Sequence, residues 1–227
     1  SGEEGRLVAG SIVKRIVLGF LAGGLGYYLL WPIEAKPVAW SAPEDRGFTD
    51  VYEANTRLSD LSFAELSGHV GPEDADVGPD GLLYTVSHDG AILRGPLDGP
   101  LTVWAKTGGR PLGMEFGPDG TLWVADAYRG LLSVSPAGAV SVRATEAAGV
   151  PILYADDVDV APDGRVYFSD ASTHFGAEAN GGTLPASVLD LIEHGASGRV
   201  LRYDPATNQT DVFTDGLQFA NGVAVSH

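Results

Sequence analysis

Three stretches of the chain repeat one pattern at intervals of 39 and 44 residues. They read DADVGPDGLLYTVS, GMEFGPDGTLWVADA and DVDVAPDGRVYFSDA, with the Pro-Asp-Gly aspartates at Asp80, Asp119 and Asp163. In each copy an alternating apolar run enters a Pro-Asp-Gly turn, and a second alternating run follows it, as in a β-hairpin. Strand pairs repeating at about 40 to 45 residues are typical of a β-propeller, whose blades bury their faces against one another. The alternative is a set of unrelated hairpins in a β-sandwich.

The composition suits an acidic globular domain. Fourteen Lys and Arg residues stand against thirty Asp and Glu, which gives a formal charge of −16. That balance disfavours nucleic acid or anionic lipid as a partner of the globular part, and it suits cations. The chain has no cysteine, which excludes disulfides, thiolate zinc sites and a cysteine nucleophile. It also lacks the G-x-S-x-G motif of serine hydrolases.

Residues 16–33 predict a membrane anchor. They read IVLGFLAGGLGYYLLWPI and contain no charge, and 18 residues is the lower limit for a helix that crosses the bilayer core. Basic residues precede this stretch and aromatic residues cluster near its far end: Arg6, Lys14 and Arg15, then Tyr27, Tyr28 and Trp31. This arrangement predicts a single-pass protein with residues 1–15 in the cytoplasm and the rest on the extracytoplasmic side. A cleaved signal peptide and a buried globular helix are the alternatives.

Two further features complete the organisation. Gly19 and Gly23 form a G-x-x-x-G step that would allow a weak homodimer of anchors. Residues 34–66 are mixed and polar, and they predict a tether followed by a first strand or short helix. Residues 67–227 then form the propeller region. Its fourth repeat begins at NGVAVSH, so we expect about four blades here, as a fragment of a larger ring.

The repeat places acidic residues in register. Seven positions before the Pro-Asp-Gly aspartate stand Glu73, Leu112 and Asp156 in the three copies, and Asn221 occupies the same place in the fourth. Equivalent positions at the start of the innermost strands surround one end of a propeller channel, so we expect Glu73, Asp156 and Asn221 to converge. Carboxylate and amide oxygens without sulfur or imidazole suit a hard cation such as Ca²⁺. Solvated strand ends, with Asn221 in a simple turn, are the alternative.

The next residues of the first and third copies, Asp74 and Asp157, are equivalent too. They predict a possible second, structural cation deeper in the channel.

His174 lies in a predicted insertion of the third repeat, before the segment LPASVLDLIEHGASG. Apolar residues at Val188, Leu189, Leu191 and Ile192 have helical spacing. A helix there would lie over the channel mouth as a lid, and His174 would be a candidate catalytic acid or base because histidine titrates near neutrality. The alternative is a loop histidine bonded to its own backbone.

The motifs together resemble the strictosidine synthase-like proteins and the wider superfamily of gluconolactonases, regucalcin and paraoxonases, which are six-bladed β-propellers. The resemblance is strongest to the branch that includes adipocyte plasma membrane-associated protein, whose members have an N-terminal anchor. The motifs that carry it are GPED at 71–74, GRPLG at 109–113, LWVADAYRGLL at 122–132, the DDVDVAPDGRVYFSDAS stretch, GRVLRYDPAT at 198–207 and GLQFANGVAVS at 216–226.

The resemblance implies roles for particular residues. Glu73 and Asn221 match ligands of the catalytic metal in the lactonases, and Asp156 replaces an asparagine of that set. Asp74 and Asp157 resemble the pair that holds a structural calcium in paraoxonases. Leu112 replaces their catalytic histidine, which argues against a base of that kind.

These matches imply a membrane-anchored, calcium-dependent hydrolase of small esters or lactones, of arylesterase or lactonase type. The retained Glu73 and Asn221 favour hydrolysis over the amine and aldehyde condensation of true strictosidine synthases. A lyase of that kind, or a non-catalytic binding module with structural calcium, remains the alternative.

Overall fold

The computed structural model describes residues 2–31, 35–36 and 38–226, with the backbone alone for residues 2–11. The chain divides into two compact units, residues 1–36 and 37–227. Among the described residues, the first unit contains the helix α1 (Gly2–Leu30) and the second contains the strands.

Helix α1 covers residues 16–30 of the predicted anchor. Its segment Ile12–Leu30 is long and apolar enough to cross a bilayer, with a mean hydropathy of 1.4. The helix therefore begins before the predicted boundary at residue 16 and ends before residue 33. Pro32 and Ile33, the last residues of the predicted span, lie outside the described residues.

The predicted tether has little regular structure where it is described. It contains one short 3₁₀ helix (Asp50–Tyr52), which is the short helix that the sequence allowed. Its only β-type pairing in this described part is an isolated bridge from Glu65 to Pro100.

Fourteen strands follow in the described part of the chain, and twelve of them form three antiparallel sheets of four strands, each sheet in sequence order. The first sheet is β1 (Ala75–Val77), β2 (Leu83–Val86), β3 (Ala91–Gly95) and β4 (Thr102–Lys106). The second is β5 (Pro111–Phe116), β6 (Leu122–Asp126), β7 (Gly130–Val134) and β8 (Val140–Ala144). A small hairpin, β9 (Glu146–Ala147) and β10 (Val150–Pro151), precedes the third. The third is β11 (Ala155–Val160), β12 (Val166–Asp170), β13 (Gly198–Asp204) and β14 (Gln209–Leu217).

The Pro-Asp-Gly turns join the first two strands of each sheet. Each turn glycine has a positive φ, for example +80° at Gly120, which glycine adopts without the steric cost of a side chain. Each turn aspartate accepts a hydrogen bond from the backbone N–H two residues later: Asp80 from Leu82, Asp119 from Thr121 and Asp163 from Arg165. The repeat is therefore a repeat of one turn structure.

The core lies between neighbouring sheets. One buried cluster joins residues of the first and second sheets, including Ile92 and Met114. Another joins the second and third sheets, where the rings of Trp123 and Tyr203 lie 5.4 Å apart. Successive four-stranded sheets that bury their faces against one another are the blades of a β-propeller, so the predicted fold is confirmed. The described residues contain three complete blades. Residues 221–226, where the fourth repeat begins, form no assigned strand, but their backbone donates hydrogen bonds to β11. The number of blades in the whole ring stays a prediction.

Aspartates also join the innermost strands of neighbouring blades. The backbone N–H of Met114 donates to Asp74 Oδ2 at 2.8 Å. In the same way Val223 N–H donates to Asp157 Oδ2 at 2.6 Å, and Val225 N–H donates to Asp159 Oδ2 at 2.6 Å. Hydrogen bonds to an ionised acceptor are stronger than neutral ones, so these carboxylates hold the blades in register around the channel.

The predicted insertion in the third blade contains helix α2 (Thr183–Glu193), between β12 and β13. The residue that caps the C-terminus of the helix, His194, has a left-handed conformation with φ of +55°. The prediction of a helix here is confirmed.

Candidate metal centre

Asp156 and Asp157 lie in a β-bulge of strand β11. Ala155 pairs with Asp170 and Val158 pairs with Phe168, so the two aspartates together face the single residue Ser169. A bulge bends its strand and re-aims side chains that would otherwise alternate between faces. Asp156 consequently lines a cavity, while Asp157 bonds to the next blade.

That cavity has a volume of about 220 Å³. Its lining includes all three residues that the sequence predicted to converge, Glu73, Asp156 and Asn221. The remaining lining residues are Leu112, Tyr154, Thr183, Leu184, Ser187 and Phe219. A larger groove of about 440 Å³ lies beside Phe213 and Val225, but no acidic side chain lines it. The smaller cavity is therefore the candidate site.

Asp156 is the most perturbed acid of this cavity. Its side chain belongs to a residue only 6 % exposed, and its carboxylate receives no hydrogen bond from the described residues. Burial, followed by the nearby charges of Glu73 and Asp157, raises the pKa of Asp156 to about 7, and Arg110 opposes this shift. A buried carboxylate without hydrogen bonds is costly unless a cation or a proton neutralises it.

Glu73 approaches the cavity from the loop before β1. Its side chain is about half exposed, and its Oε2 atom lies 3.7 Å from Nη2 of the buried Arg110. Arg110 also donates from Nη1 to the carbonyl oxygens of Gly71, at 3.2 Å, and Pro111, at 3.1 Å. It thereby links the loop that carries Glu73 to the loop before β5.

Asn221 is placed by its backbone. The hydroxyl of Ser169 accepts a hydrogen bond from Asp157 N–H at 3.0 Å and donates one to the Asn221 carbonyl at 2.6 Å. Ser169 therefore fixes the start of the fourth repeat to the bulge of β11. Asn221 also lines the cavity.

These residues fit a hard divalent cation. Two acidic residues and one asparagine, from three of the four repeats, line one cavity, and the buried Asp156 carboxylate has no hydrogen-bond partner among the described residues. No group of three or more His, Asp or Glu side chains in the described ranges is arranged to hold a metal, so the amide of Asn221 is required for a set of three. Calcium takes about six to eight oxygen ligands, so further ligands from water, substrate or other residues would complete its shell.

The second predicted pair, Asp74 and Asp157, accepts hydrogen bonds from the backbone. Asp74 accepts hydrogen bonds from Ala75 N–H and Met114 N–H, one at each carboxylate oxygen. Asp157 accepts from Val223 N–H. Both carboxylates thus have structural partners between blades, and a second cation at this pair stays a prediction.

His174 does not belong to the cavity lining. Its Nδ1 atom lies 2.8 Å from Oε2 of Glu193 on α2, and its ring lies against Phe175 at 4.2 Å. The catalytic role of His174 stays a prediction, and its position gives that role no geometric support.

Sequence reasoning missed the residues that orient the site. Asp170 is fully buried and accepts hydrogen bonds from the backbone N–H groups of Leu153 and Tyr154, just before the bulge. Asp126 is equally buried, and it accepts a hydrogen bond from the backbone N–H of Arg110, just before β5. Asp126 and Asp170 each stand seven positions after the turn aspartate of their repeat. An alignment of the repeats therefore identifies them as equivalent residues.

Two family profiles match the chain. The profile described as strictosidine synthase matches residues 156–227, and the profile for the N-terminal region of strictosidine synthase-like proteins matches residues 50–95. The first includes Asp156 and Asn221 and the second includes Glu73, so all three cavity oxygen donors fall in matched regions.

Curated relatives agree with these profiles. Strictosidine synthase-like protein 4 of Arabidopsis thaliana is 38 % identical over 199 residues, covering 82 % of this chain and 52 % of the relative. Adipocyte plasma membrane-associated protein is 34 % identical in Salmo salar, covering 93 % of this chain and 54 % of the relative. The protein of that name in Danio rerio is 34 % identical, with coverages of 98 % and 55 %. The chain thus spans about half the length of the curated relatives it matches.

Solved structures agree on the fold. A gluconolactonase from Xanthomonas campestris superposes with a TM-score of 0.51 at 19 % identity, over 63 % of this chain and 47 % of that one. A second structure, described as a putative gluconolactonase, gives a TM-score of 0.50 at 19 % identity, over 65 % and 50 %. At this identity the likeness concerns the propeller fold. The matched profiles and the curated relatives together place the chain in the strictosidine synthase-like family.

Proposed function

We propose that this chain is part of a membrane-anchored, calcium-dependent hydrolase of small esters or lactones. The cation would bind to Glu73, Asp156 and Asn221 in the cavity between α2 and the innermost strands. The observation that supports it most directly is the buried Asp156 carboxylate, which has no hydrogen-bond partner among the described residues and lines the same cavity as two other oxygen donors. Other divalent metals with the same preference for oxygen would fit this set.

When bound, a divalent cation supplies a fixed positive charge that polarises an ester carbonyl and stabilises the oxyanion formed on attack by water. The protein residues provide the geometry. Glu73 and Asp156 carry the negative charge that binds the cation, and Arg110 holds the loop of Glu73 through the Gly71 carbonyl. Leu112, the only apolar residue among the four register positions, contributes a surface without ligands.

The rest of the lining indicates an apolar group in the substrate. Leu112, Leu184 and Phe219 lie on the cavity wall, and the Tyr154 ring contacts Phe219 edge to face at 5.4 Å. The Tyr154 hydroxyl donates to the Thr183 carbonyl at 3.1 Å and is thereby occupied. Such a wall offers few hydrogen bonds to a polyhydroxylated sugar lactone, and it suits an aryl or alkyl ester.

The membrane part of the proposal rests on α1. Its apolar segment Ile12–Leu30 is the candidate anchor, and two matched relatives are named adipocyte plasma membrane-associated protein. With basic residues at Lys14 and Arg15, the propeller would lie on the extracytoplasmic side. A weak self-association through Gly19 and Gly23 remains part of this proposal.

The test is hydrolysis by the full-length protein of a panel of aryl esters and lactones, with calcium and with a chelator. We expect activity that chelation abolishes and calcium restores. Asp156→Asn should lose most of it, whereas Asp163→Asn in an exposed turn should retain it as the matched control. Hydrolysis unaffected by the chelator would contradict the proposal. Metal-independent condensation of an amine with an aldehyde would indicate a lyase, and calcium binding without turnover would indicate a binding module.

A further inference from the structure

Helix α2 turns its polar side toward the protein. Its buried residues are Ala186, Asp190 and Glu193. Leu189 is partly buried, but four other large apolar side chains of the helix are exposed by 44 % to 73 %: Leu184, Val188, Leu191 and Ile192. A surface helix of a globular protein normally has the opposite arrangement, with its apolar stripe toward the core.

The inward side is held by polar contacts. Asp190 Oδ2 accepts a hydrogen bond from the Ser197 hydroxyl at 2.7 Å, and its Oδ1 accepts one from the Gln218 amide at 3.2 Å. Glu193 pairs with His174 at 2.8 Å. These contacts fix α2 on the third blade without the exposed side chains of Val188, Leu191 and Ile192. The apolar side is therefore available for another surface.

The tether extends this apolar side. Val38 N–H donates to the carbonyl oxygen of Glu193, the last residue of α2, at 2.8 Å. The Trp40 ring lies 5.6 Å from the ring of His194. Both tether side chains are more than half exposed. We call the combined surface the apolar lid surface, and it comprises Val38, Trp40, Leu184, Val188, Leu191 and Ile192.

The apolar lid surface is uncharged at its helix. From Gly181 to Gly198 the only residues with formal charge are Asp190 and Glu193, and both are buried. This is notable in a chain of net charge −16. An uncharged, apolar surface with a tryptophan is typical of an interface with lipid headgroups. The large negative charge of the rest opposes anionic lipid, so the surface suits a zwitterionic bilayer.

We propose that the apolar lid surface binds the headgroup region of a zwitterionic phospholipid bilayer. The inference rests on the proposed anchoring and not on the proposed hydrolysis. A bilayer is available because Val38 follows Trp31, the last described residue of the anchor region, by only seven positions. Since Leu184 of the same helix also lines the candidate cavity, an apolar ester dissolved in the bilayer would meet the cavity beside this surface.

The experiment uses the full-length protein, anchor included, in phosphatidylcholine vesicles. This chain has no cysteine, so Leu191→Cys introduces a unique site within it for a polarity-sensitive fluorophore. Leu97→Cys is the matched control, because Leu97 is exposed to a similar extent, 63 % against 57 %, and lies in the β3–β4 turn at the opposite ends of the strands. Quenchers are a doxyl-labelled lipid and aqueous iodide.

For the Leu191 label we expect a blue-shifted emission that the doxyl lipid quenches and iodide does not. The Leu97 label should show the reverse. Quenching of the Leu191 label by iodide alone would overturn the inference, because the surface would then face water. Quenching by neither would also overturn it, because the rest of the protein or a second copy would then cover the surface. Failure of the protein to float with the vesicles would instead refute the anchoring.

Discussion

The carboxylate of Asp157 and the backbone of Val223 connect the third blade to the start of the fourth repeat. Val223 N–H donates to Asp157 Oδ2 at 2.6 Å, although the residues are 66 positions apart. The equivalent bond in the first repeat joins Met114 N–H to Asp74 at 2.8 Å. In a ring of blades such bonds hold the innermost strands side by side, so they determine whether the metal-binding residues remain together.

Replacing Asp157 should therefore destabilise the propeller. Asp157→Ala removes a charged acceptor and leaves a partly buried N–H without a partner, which costs about 1–3 kcal/mol. Chemical denaturation of the full-length protein measures this loss in the free energy of unfolding. Asp163→Ala in an exposed turn is the control. An unchanged free energy of unfolding for Asp157→Ala would show that the bond between blades contributes nothing.

Gly113 should tolerate no side chain. It is equivalent in register to Asp157, and a Cβ atom there would lie 2.4 Å from Asp157 Oδ1 and 2.6 Å from its Cα. Gly113→Ala should lower the free energy of unfolding by about 1–3 kcal/mol, as overpacking does. Gly222→Ala is a matched control at the same register, since its Cβ would meet its nearest neighbour only at 3.8 Å. Equal thermal stability of both variants would contradict the close approach of β5 and β11.

Glu115 should make stability depend on pH. Burial, followed by the charges of Asp76 and Asp159, raises the pKa of Glu115 from 4.5 to about 7. Between these values the folded protein holds a proton that the unfolded chain has lost. The stability that the protonation of Glu115 contributes is therefore fully present below pH 4.5, and it is lost as the pH rises through about 7. Without calcium, melting temperature should rise from pH 8 to pH 5, and less steeply in Glu115→Gln. An identical slope in both proteins would contradict this prediction.

His174 offers a test of the lid rather than of catalysis. Loss of a general acid or base lowers the rate about 10²- to 10⁴-fold. Because His174 lies outside the cavity lining and pairs with Glu193, we expect His174→Gln to lower the melting temperature and to leave kcat within a small factor. A rate loss on the catalytic scale, with the melting temperature unchanged, would instead support the catalytic prediction.

Much of the fold follows from local sequence. The Pro-Asp-Gly turns and their alternating flanks specify hairpins, and their spacing specifies blades, because turn geometry and strand period are local properties. Helix α2 was recognisable from its apolar spacing. The side that faces the protein was not recognisable, because that spacing would normally place Val188 and Leu191 inward. The Asp190 contacts that reverse this arrangement come from Ser197 and Gln218, which lie outside the helix.

The candidate site was partly predictable from the same repeat pattern. Register alone brought Glu73, Asp156 and Asn221 to one cavity. A bulge turns the side chains of Asp156 and Asp157 in different directions. It depends on the pairing of β11 with β12, which the sequence alone does not specify. The role of Arg110 was not predictable either, because its position beside Glu73 depends on the contact between two blades.

The most direct test of the account is calorimetric titration of the full-length protein with calcium, for the wild type, Glu73→Gln, Asn221→Ala and Leu112→Ala. The first two variants each remove one cavity oxygen ligand, so affinity should fall by at least about 10- to 100-fold, the loss typical of even indirect disturbance of a metal site. Leu112→Ala changes the wall of the same cavity without removing a ligand, and its affinity should stay close to that of the wild type. Unchanged calcium affinity in both Glu73→Gln and Asn221→Ala would contradict the metal centre.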